Sequence, residues 1–250
     1  QGWRIESKAY PKLHQLASDN LYYSQDEIAS LVQYASLLGI RVVPELDVPG
    51  HASAIAVAYP ELITARQNYQ MQRQWGVFEP LLDVSSPKVY QFIDNIVAEM
   101  ANLFPDTYLH IGGDEVNPKQ WNESPSIQRL MTTFDLTNSE DVQRYFNGKV
   151  QQILTKYQRK MMGWDEILHD DLPKDIVVQS WRGLQSLNLI AGKGYQALLS
   201  AGYYIDQPQA TSYHYRNDPL ANAAITQSQQ LSLRKVSAKP KEQWRTWTFT

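Results

Sequence analysis

The amino-acid sequence predicts an α/β fold built on a parallel sheet, because helix-like and strand-like segments alternate along most of the chain. The strand-like segments are short and end in polar or aromatic residues, without the Gly-x-Gly-x-x-Gly pattern of dinucleotide-binding sheets. The chain has 250 residues, a common size for a (β/α)8 barrel. These observations favour a TIM barrel over a doubly wound sheet.

The first clear helix is predicted over residues 25–38. Ser24 is a good N-cap, and Glu27 three residues later completes a capping box. Apolar residues recur at helical spacing, and Gly39 ends the helix because glycine tolerates the left-handed conformation. Residues 40–46 follow as a short apolar segment rich in β-branched residues, so we predict a strand there.

The same alternation continues to about residue 212. Ser86-Pro87 begins a helix that runs to about residue 104, since proline is favoured in the first turn. We further predict helices over 140–157 and 184–191, and strands over 108–111, 160–164, 176–180 and 196–200. Residues 1–212 are therefore predicted to form the barrel. Residues 213–250, where the pattern breaks down, are predicted to form a loop or excursion before a final strand.

Composition limits the classes of partner. The net charge is −3 and the basic residues are scattered, which argues against a nucleic-acid partner. The absence of cysteine excludes disulfides and thiolate metal sites. No apolar run reaches the roughly 20 residues of a membrane span. The composition is that of an ordinary globular domain.

The strongest chemical signal is the segment 110–115, in which two glycines end a strand and the carboxylates of Asp114 and Glu115 follow. Neighbouring carboxylates allow a protein to keep one protonated acid and one charged base at neutral pH. The alternative is an acidic helix N-terminus, which the helix dipole favours. Aromatic residues follow the next three strands: Trp164, Trp181 and Tyr204. This pattern favours a pocket that has aromatic side walls and the two carboxylates at its base.

Six segments in this order resemble glycoside hydrolase family 20, the β-N-acetylhexosaminidases. They are residues 1–6, 45–51, 110–116, 163–167, 179–181 and 204–206. The resemblance implies a (β/α)8 barrel enzyme that releases terminal N-acetylglucosamine or N-acetylgalactosamine from β-linked glycans. It implies no cofactor. It also implies a role in carbohydrate metabolism, such as chitin degradation.

The resemblance also implies roles for the residues of the pocket. In this family the 2-acetamido oxygen of the substrate attacks the anomeric carbon. Asp114 would then orient the acetamido N–H, and Glu115 would protonate the leaving oxygen and later deprotonate water. Tyr204 would donate to the acetamido oxygen. Trp164 and Trp181 would wall the acetamido pocket.

Further substrate contacts follow from the same resemblance. Asp206 would bind sugar hydroxyls, and His51 would lie near the acid/base glutamate and tune it. For His51 the alternative is a helix-start or core histidine. Arg4 would also contact substrate, with Asp47 as a further candidate. For these two residues, an ion pair or support of a strand end is an equal alternative.

The sequence departs from the family at both ends. We find no counterpart of the arginine on the family's first strand, and Trp244 and Trp247 lack the pattern of its last strand. We therefore expect a fragment with about six of the eight βα units and the first and last strands missing. Such a half-open barrel would expose strand edges, so we expect self-association. We expect the parent protein to be periplasmic or secreted.

Two other function classes compete with this interpretation. A non-catalytic glycan-binding module would use the same aromatic walls, but it would not need the Asp114-Glu115 pair. A metal-dependent hydrolase built on His110, Asp114 and Glu115 is the third reading. Metal sites more often gather histidines from several strands, and the five histidines here form no paired motif. We predict no metal.

Overall fold

A computed structural model of the chain describes residues 2–204 and 206–218. The predicted excursion is covered only as far as residue 218. Its remainder, and the residues around Trp244 and Trp247, lie outside the described residues.

The framework of the described chain is a parallel sheet of four strands in the order β1-β2-β3-β4. The strands are β1 (Tyr108–His110), β2 (Lys160–Trp164), β3 (Val177–Ser180) and β4 (Gln196–Leu199). Each strand pairs in parallel with the next one along the chain. The α/β class and the parallel sheet are confirmed. All four strands lie within one residue of the predicted bounds.

The prediction of a regular strand over 40–46 is wrong. This segment joins the edge of β1 through one parallel bridge, Glu45↔His110. His110 N donates to Pro44 O at 2.9 Å and Leu46 N donates to His110 O at 2.8 Å. Pro44 has no N–H and cannot extend a ladder as a donor. The described residues thus contribute four strands and this bridged segment to the sheet, and the predicted number of about six βα units stays a prediction.

The described residues form nine α-helices in addition to the sheet. They are α1 (Lys12–Leu16), α2 (Gln25–Leu37), α3 (Ser53–Ala58), α4 (Pro87–Leu103), α5 (Lys119–Glu123), α6 (Pro125–Phe134), α7 (Ser139–Lys156), α8 (Leu184–Gly192) and α9 (Thr211–Tyr215). Short 3-10 turns span Pro60–Leu62 and Asp165–Ile167. None of the helices described here is long and apolar enough to cross a membrane.

The capping box that was predicted for α2 is present. Ser24 Oγ accepts from Glu27 N at 3.2 Å, and Glu27 Oε2 accepts from Ser24 N at 2.7 Å. Helix α6 was not predicted, although Ser124-Pro125 begins it in the same way that Ser86-Pro87 begins α4. Helices α1, α3, α5 and α9 were also missed, because each is only five or six residues long.

The two faces of the sheet carry different residues, because successive side chains of a strand point to opposite faces. One face packs against α7 and α8, with α4 packed on α7, and the buried residues of this face include Leu109, Met161 and Val178. Burial of each such side chain contributes roughly 1.5–3 kcal/mol. Val43, Met162 and Val177 form a second, smaller cluster. The helices therefore hold the strands in place from behind, and the carboxyl ends of the strands lie at one edge.

Candidate active site

Two glycines at the end of β1 allow the chain to pass close to Asp47. Gly112 and Gly113 have φ angles of +65° and +90°. A Cβ on Gly112 would lie 1.9 Å from Asp47 Oδ1 and 2.7 Å from Asp47 Cα, so no other residue fits. Gly113 N donates to Asp47 Oδ1 at 3.3 Å, and Gln143 Nε2 donates to Gly113 O at 2.7 Å. These contacts fix the start of the segment that carries Asp114 and Glu115.

His51 lies between the two adjacent carboxylates. Its Nε2 is 3.5 Å from Asp114 Oδ2 and 3.3 Å from Glu115 Oε2. His51 and Glu115 both have positive φ angles, +47° and +51°, which side chains other than glycine adopt at a cost of roughly 1–3 kcal/mol. The Asp114 side chain is 18% exposed and that of Glu115 is 39% exposed. One carboxylate is therefore recessed and the other faces solvent.

The carboxyl groups around His51 make it a cation at neutral pH. The hydrogen bond to Asp114 raises the pKa of His51 to about 9, and the charges of Asp47, Asp114 and Glu115 add to this effect against the opposing effect of burial. Burial raises the pKa of Asp47 well above its ordinary value, and the neighbouring Asp114 charge raises it further. His51 is therefore protonated at neutral pH, and the raised pKa of Asp47 shifts that carboxyl towards its neutral form.

The recessed carboxylate keeps one oxygen for a ligand. Asp114 Oδ1 is buried and has no hydrogen-bond partner among the described residues. A buried acceptor without a donor costs about 1–3 kcal/mol, so such atoms require an explanation. An N–H or O–H group of a bound molecule would satisfy it.

The two tryptophans at the ends of β2 and β3 both donate their indole N–H to a carboxylate. Trp164 Nε1 lies 3.0 Å from Glu45 Oε1, and the Trp164 ring packs edge-on against His110 at 5.2 Å. Trp181 Nε1 lies 3.2 Å and 3.1 Å from the two oxygens of Glu166. Burial raises the pKa of Glu166 to about 7, and a hydrogen bond with the side chain of Asp165 also contributes.

Tyr204 follows β4 at the same edge of the sheet. It is partly buried, and burial raises the pKa of its hydroxyl, to which the negative charges of Asp114, Asp206 and Asp165 add. Its hydroxyl is therefore a hydrogen-bond donor at neutral pH. Asp206 is exposed. The structure thus brings residues from the ends of β1, β2, β3 and β4 to one place, as the strand-end argument predicted.

A comparison with known families identifies this arrangement. The model described as "Glycosyl hydrolase family 20, catalytic domain" matches residues 1–246. The chain belongs to glycosyl hydrolase family 20. The resemblance drawn from the six sequence segments is confirmed.

Curated relatives and solved structures agree with this family 20 assignment. The chain is 34% identical to a β-hexosaminidase of Porphyromonas gingivalis over 88% of its own length and 29% of the relative. It is 35% identical to β-hexosaminidase subunit A2 of Dictyostelium discoideum, over 84% of the chain and 38% of the relative. The chain therefore spans less than half the length of these curated relatives.

The crystal structure of a Flavobacterium johnsoniae chitobiase superposes with a TM-score of 0.90 at 41% identity, over 100% of this chain and 38% of the other. A Vibrio harveyi exo-β-N-acetylglucosaminidase, solved in complex with N-acetylglucosamine, gives a TM-score of 0.79 at 27% identity. That match covers 92% of this chain and 42% of the other.

The contacts of Arg4 differ from those expected of a family 20 substrate ligand. Arg4 Nη1 donates to Ser18 O at 2.6 Å and to Leu21 O at 2.9 Å. The guanidinium satisfies two carbonyls of the turn before α2, and no contact between it and the carboxylate cluster is present in the described structure. These bonds favour the structural alternative, support of a chain segment, over the predicted contact with substrate.

Sequence reasoning gave no role to Glu45 or Glu166, whose carboxylates accept the indole N–H groups of Trp164 and Trp181. The sequence did contain a signal for both glutamates, because they lie inside two of the segments that resemble the family, 45–51 and 163–167. The spacing along the chain did not show that Glu45 reaches Trp164, which is 119 residues away. Trp121, by contrast, is buried and donates to Leu82 O at 2.9 Å, which is a core contact.

Asp47, His51 and Asp114 each offer one potential metal-ligand atom, and these atoms lie within 4.8 Å of one another. A protonated imidazole has no lone pair to give to a cation. A metal ion would have to displace the proton that the surrounding carboxyl groups hold on His51. The three residues therefore fit an internally hydrogen-bonded cluster better than a metal site.

The raised pKa of His51 predicts how stability depends on pH. Its pKa is about 9 in the folded chain and about 6.5 in unfolded chains, so folding favours the imidazolium. This stabilisation is complete below pH 6.5 and is lost as the pH rises through about 9. The difference in free energy of unfolding between wild type and His51→Gln, from urea titrations, should shrink across this window. A constant difference would contradict the assigned pKa.

The close approach at Gly112 predicts a loss of stability beyond backbone strain. Gly39 is the matched control, because its φ of +70° resembles the +65° of Gly112 and no atom lies within 4 Å of its Cβ position. Gly39→Ala should cost only the left-handed strain of roughly 1–2 kcal/mol. Gly112→Ala should lower the urea midpoint further, because a Cβ would overlap Asp47. Equal losses in the two variants would show that the contact is unimportant.

Proposed function

We propose that the protein is a β-N-acetylhexosaminidase that removes terminal N-acetylhexosamine from β-linked glycans with retention of configuration, by substrate-assisted catalysis. The observation that carries this proposal is the pairing of Asp114, whose buried Oδ1 has no partner among the described residues, with the adjacent, more exposed Glu115. A recessed acceptor suits the 2-acetamido N–H. An exposed carboxyl suits the leaving oxygen.

Asp114 would act on the acetamido group. Its Oδ2 faces His51 at 3.5 Å, which leaves Oδ1 to accept the acetamido N–H. The acetamido oxygen then forms a bond with the anomeric carbon while the glycosidic C–O bond breaks. The resulting oxazolinium carries a positive charge, which the nearby carboxylate of Asp114 would stabilise.

Glu115 would act first as an acid and then as a base. Its carboxyl proton passes to the leaving oxygen as the glycosidic bond breaks. A water molecule then attacks the anomeric carbon, gives its proton back to Glu115 and opens the oxazolinium ring. His51 Nε2, 3.3 Å from Glu115 Oε2, would orient this carboxylate between the two steps.

The remaining strand-end residues would bind the sugar. Tyr204 would donate its hydroxyl to the acetamido oxygen, and Trp164 and Trp181 would wall the acetamido group. Asp206 would accept from sugar hydroxyls. The structure of the Vibrio harveyi relative in complex with N-acetylglucosamine supports this substrate class, and the chitobiase relative supports chitin-derived glycans. Glycans that end in N-acetylgalactosamine are also proposed as substrates.

We also propose that the bridged segment 40–46 and β1–β4 form part of the wall of a (β/α)8 barrel. Their order in the sheet follows their order in the chain, as barrel strands do. The self-association and the periplasmic or secreted location stay predictions.

The acetamido group provides the direct test of the proposed function. The full-length protein should release the aryl group from an aryl N-acetyl-β-glucosaminide and leave the matching plain β-glucoside almost unchanged, because the plain sugar lacks the internal nucleophile. Rates on both substrates would be measured side by side. Comparable rates on the two would refute substrate assistance. Binding of the glycan without turnover would instead favour a glycan-binding module.

The two carboxylates should respond differently to the leaving group. Glu115→Gln should reduce kcat by about 10²–10⁴-fold for alkyl or sugar leaving groups, which need protonation. It should reduce kcat much less for activated aryl leaving groups. Asp114→Asn is the contrasting variant, because loss of oxazolinium stabilisation should slow both substrate classes alike. Equal losses for both classes in Glu115→Gln, or a covalent sugar ester trapped on Asp114, would overturn these assignments.

A further inference from the structure

Two carboxylates that the proposed reaction does not use hold the indole rings of Trp164 and Trp181. We propose that Glu45 and Glu166 are positioning residues that fix these rings and thereby limit the size of the 2-acylamino group that the enzyme accepts. This inference rests on the proposed hexosaminidase function, since it concerns the walls of the same pocket.

Glu45 is placed by the bridge between segment 40–46 and β1. Its side chain is only 6% exposed, and its Oε1 lies 3.0 Å from Trp164 Nε1. The same oxygen is 3.3 Å from His110 Nδ1, and this nitrogen accepts from Gly112 N at 3.0 Å. Glu45 Oε2 is buried without a hydrogen-bond partner in the described part of the chain. Burial of a carboxylate oxygen without a hydrogen-bond donor is unfavourable, so Glu45 contributes little to the stability of the fold. This favours a role for Glu45 in the pocket.

Glu166 is placed by the 3-10 turn that follows β2. Its two oxygens both receive the indole N–H of Trp181, so the ring is held against rotation. Arg182 Nη2 lies 3.8 Å from Glu166 Oε2, and Arg182 Nε donates to the buried Asp165 at 2.9 Å. Ser186 Oγ also donates to Asp165. The support behind Trp181 is therefore itself tied to α8 and to the loop after β3.

The two contacts together set the distance between the walls. Trp164 pairs in register with Gln179, and Trp181 lies two residues further along the neighbouring chain segment. The two tryptophans therefore follow neighbouring strands, and Trp181 lies two residues beyond the position that pairs with Trp164. An indole whose N–H is bonded to a fixed acceptor oxygen is held in one orientation. Without that bond the terminal χ2 torsion of tryptophan is broad, and the wall would yield to a longer acyl chain.

A series of acyl groups tests this inference in the full-length protein. The substrates are aryl β-glucosaminides that carry N-acetyl, N-propanoyl or N-butanoyl groups, and the readout is the ratio of kcat/KM between them. A fixed pocket should disfavour each added methylene by about 10–200-fold. In Glu166→Ala and Glu45→Ala, the ratio of kcat/KM for the N-acetyl substrate to that for the N-butanoyl substrate should fall by about 10-fold or more. The kcat/KM for the N-acetyl substrate itself should fall by up to about 100-fold.

Conservative variants separate positioning from general support. Glu166→Gln and Glu45→Gln retain an amide oxygen that accepts the indole N–H, so their selectivity ratios should stay within about 3-fold of wild type. Glu99→Ala is the matched control. Glu99 lies in α4 and accepts from Ser7 Oγ, Lys8 N and Ala9 N, and none of these hydrogen bonds involves either tryptophan. It should leave the ratio unchanged even if it lowers stability.

A double-mutant cycle keeps the inference testable if an alanine variant folds poorly. Trp181→Phe removes the indole N–H and should lower the acetyl-to-butanoyl ratio as Glu166→Ala does, and Glu166→Ala should have no further effect on the ratio in the Trp181→Phe background. Unchanged ratios in Glu166→Ala and Trp181→Phe, with an active wild type, would overturn the positioning role. An inactive wild type would instead refute the proposed hexosaminidase function.

Discussion

His51 stands 3.5 Å from Asp114 and 3.3 Å from Glu115, and the largely buried Asp47 adds to the same electrostatic cluster. Several carboxyl groups at one sheet edge would repel one another and lose hydration if no cation accompanied them. The positive charge of the His51 imidazolium offsets the repulsion and the lost hydration of these carboxyl groups. The segment that carries Asp47 and His51 is therefore held electrostatically to the segment that carries Asp114 and Glu115, and the geometry of the site depends on that attraction.

The parallel sheet supplies the other half of the arrangement. Strands that run in one direction deliver the residues that follow them to the same edge, so side chains far apart in the chain meet. Trp164, Trp181 and Tyr204 each follow a different strand, and the helices behind the sheet fix the strand positions. The indole N–H groups of Trp164 and Trp181 are in turn hydrogen-bonded to the carboxylates of Glu45 and Glu166.

Local signals made much of this predictable from sequence. The capping box at Ser24 and the alternation of helix-like and strand-like segments predicted element bounds that the structure confirms to within one or two residues for α2, α4, α7, α8 and β1–β4. The bridged segment 40–46 was misjudged because a hydropathy pattern does not register the missing donor of Pro44. The carboxylate pair and the aromatic strand ends were likewise visible. The partners of Arg4 and of the two indoles were not, because such contacts depend on how the whole chain packs.

The contact between Gly112 and Asp47 has a consequence for sequence change in this protein. A Cβ at position 112 would meet Asp47 Oδ1 and also lie 2.7 Å from Asp47 Cα, which is a backbone atom. Shortening the side chain at position 47 would remove the first overlap and leave the second. No compensatory substitution at position 47 can therefore rescue a side chain at position 112. The two positions are not free to covary, and diversification of the site must proceed through residues other than this glycine.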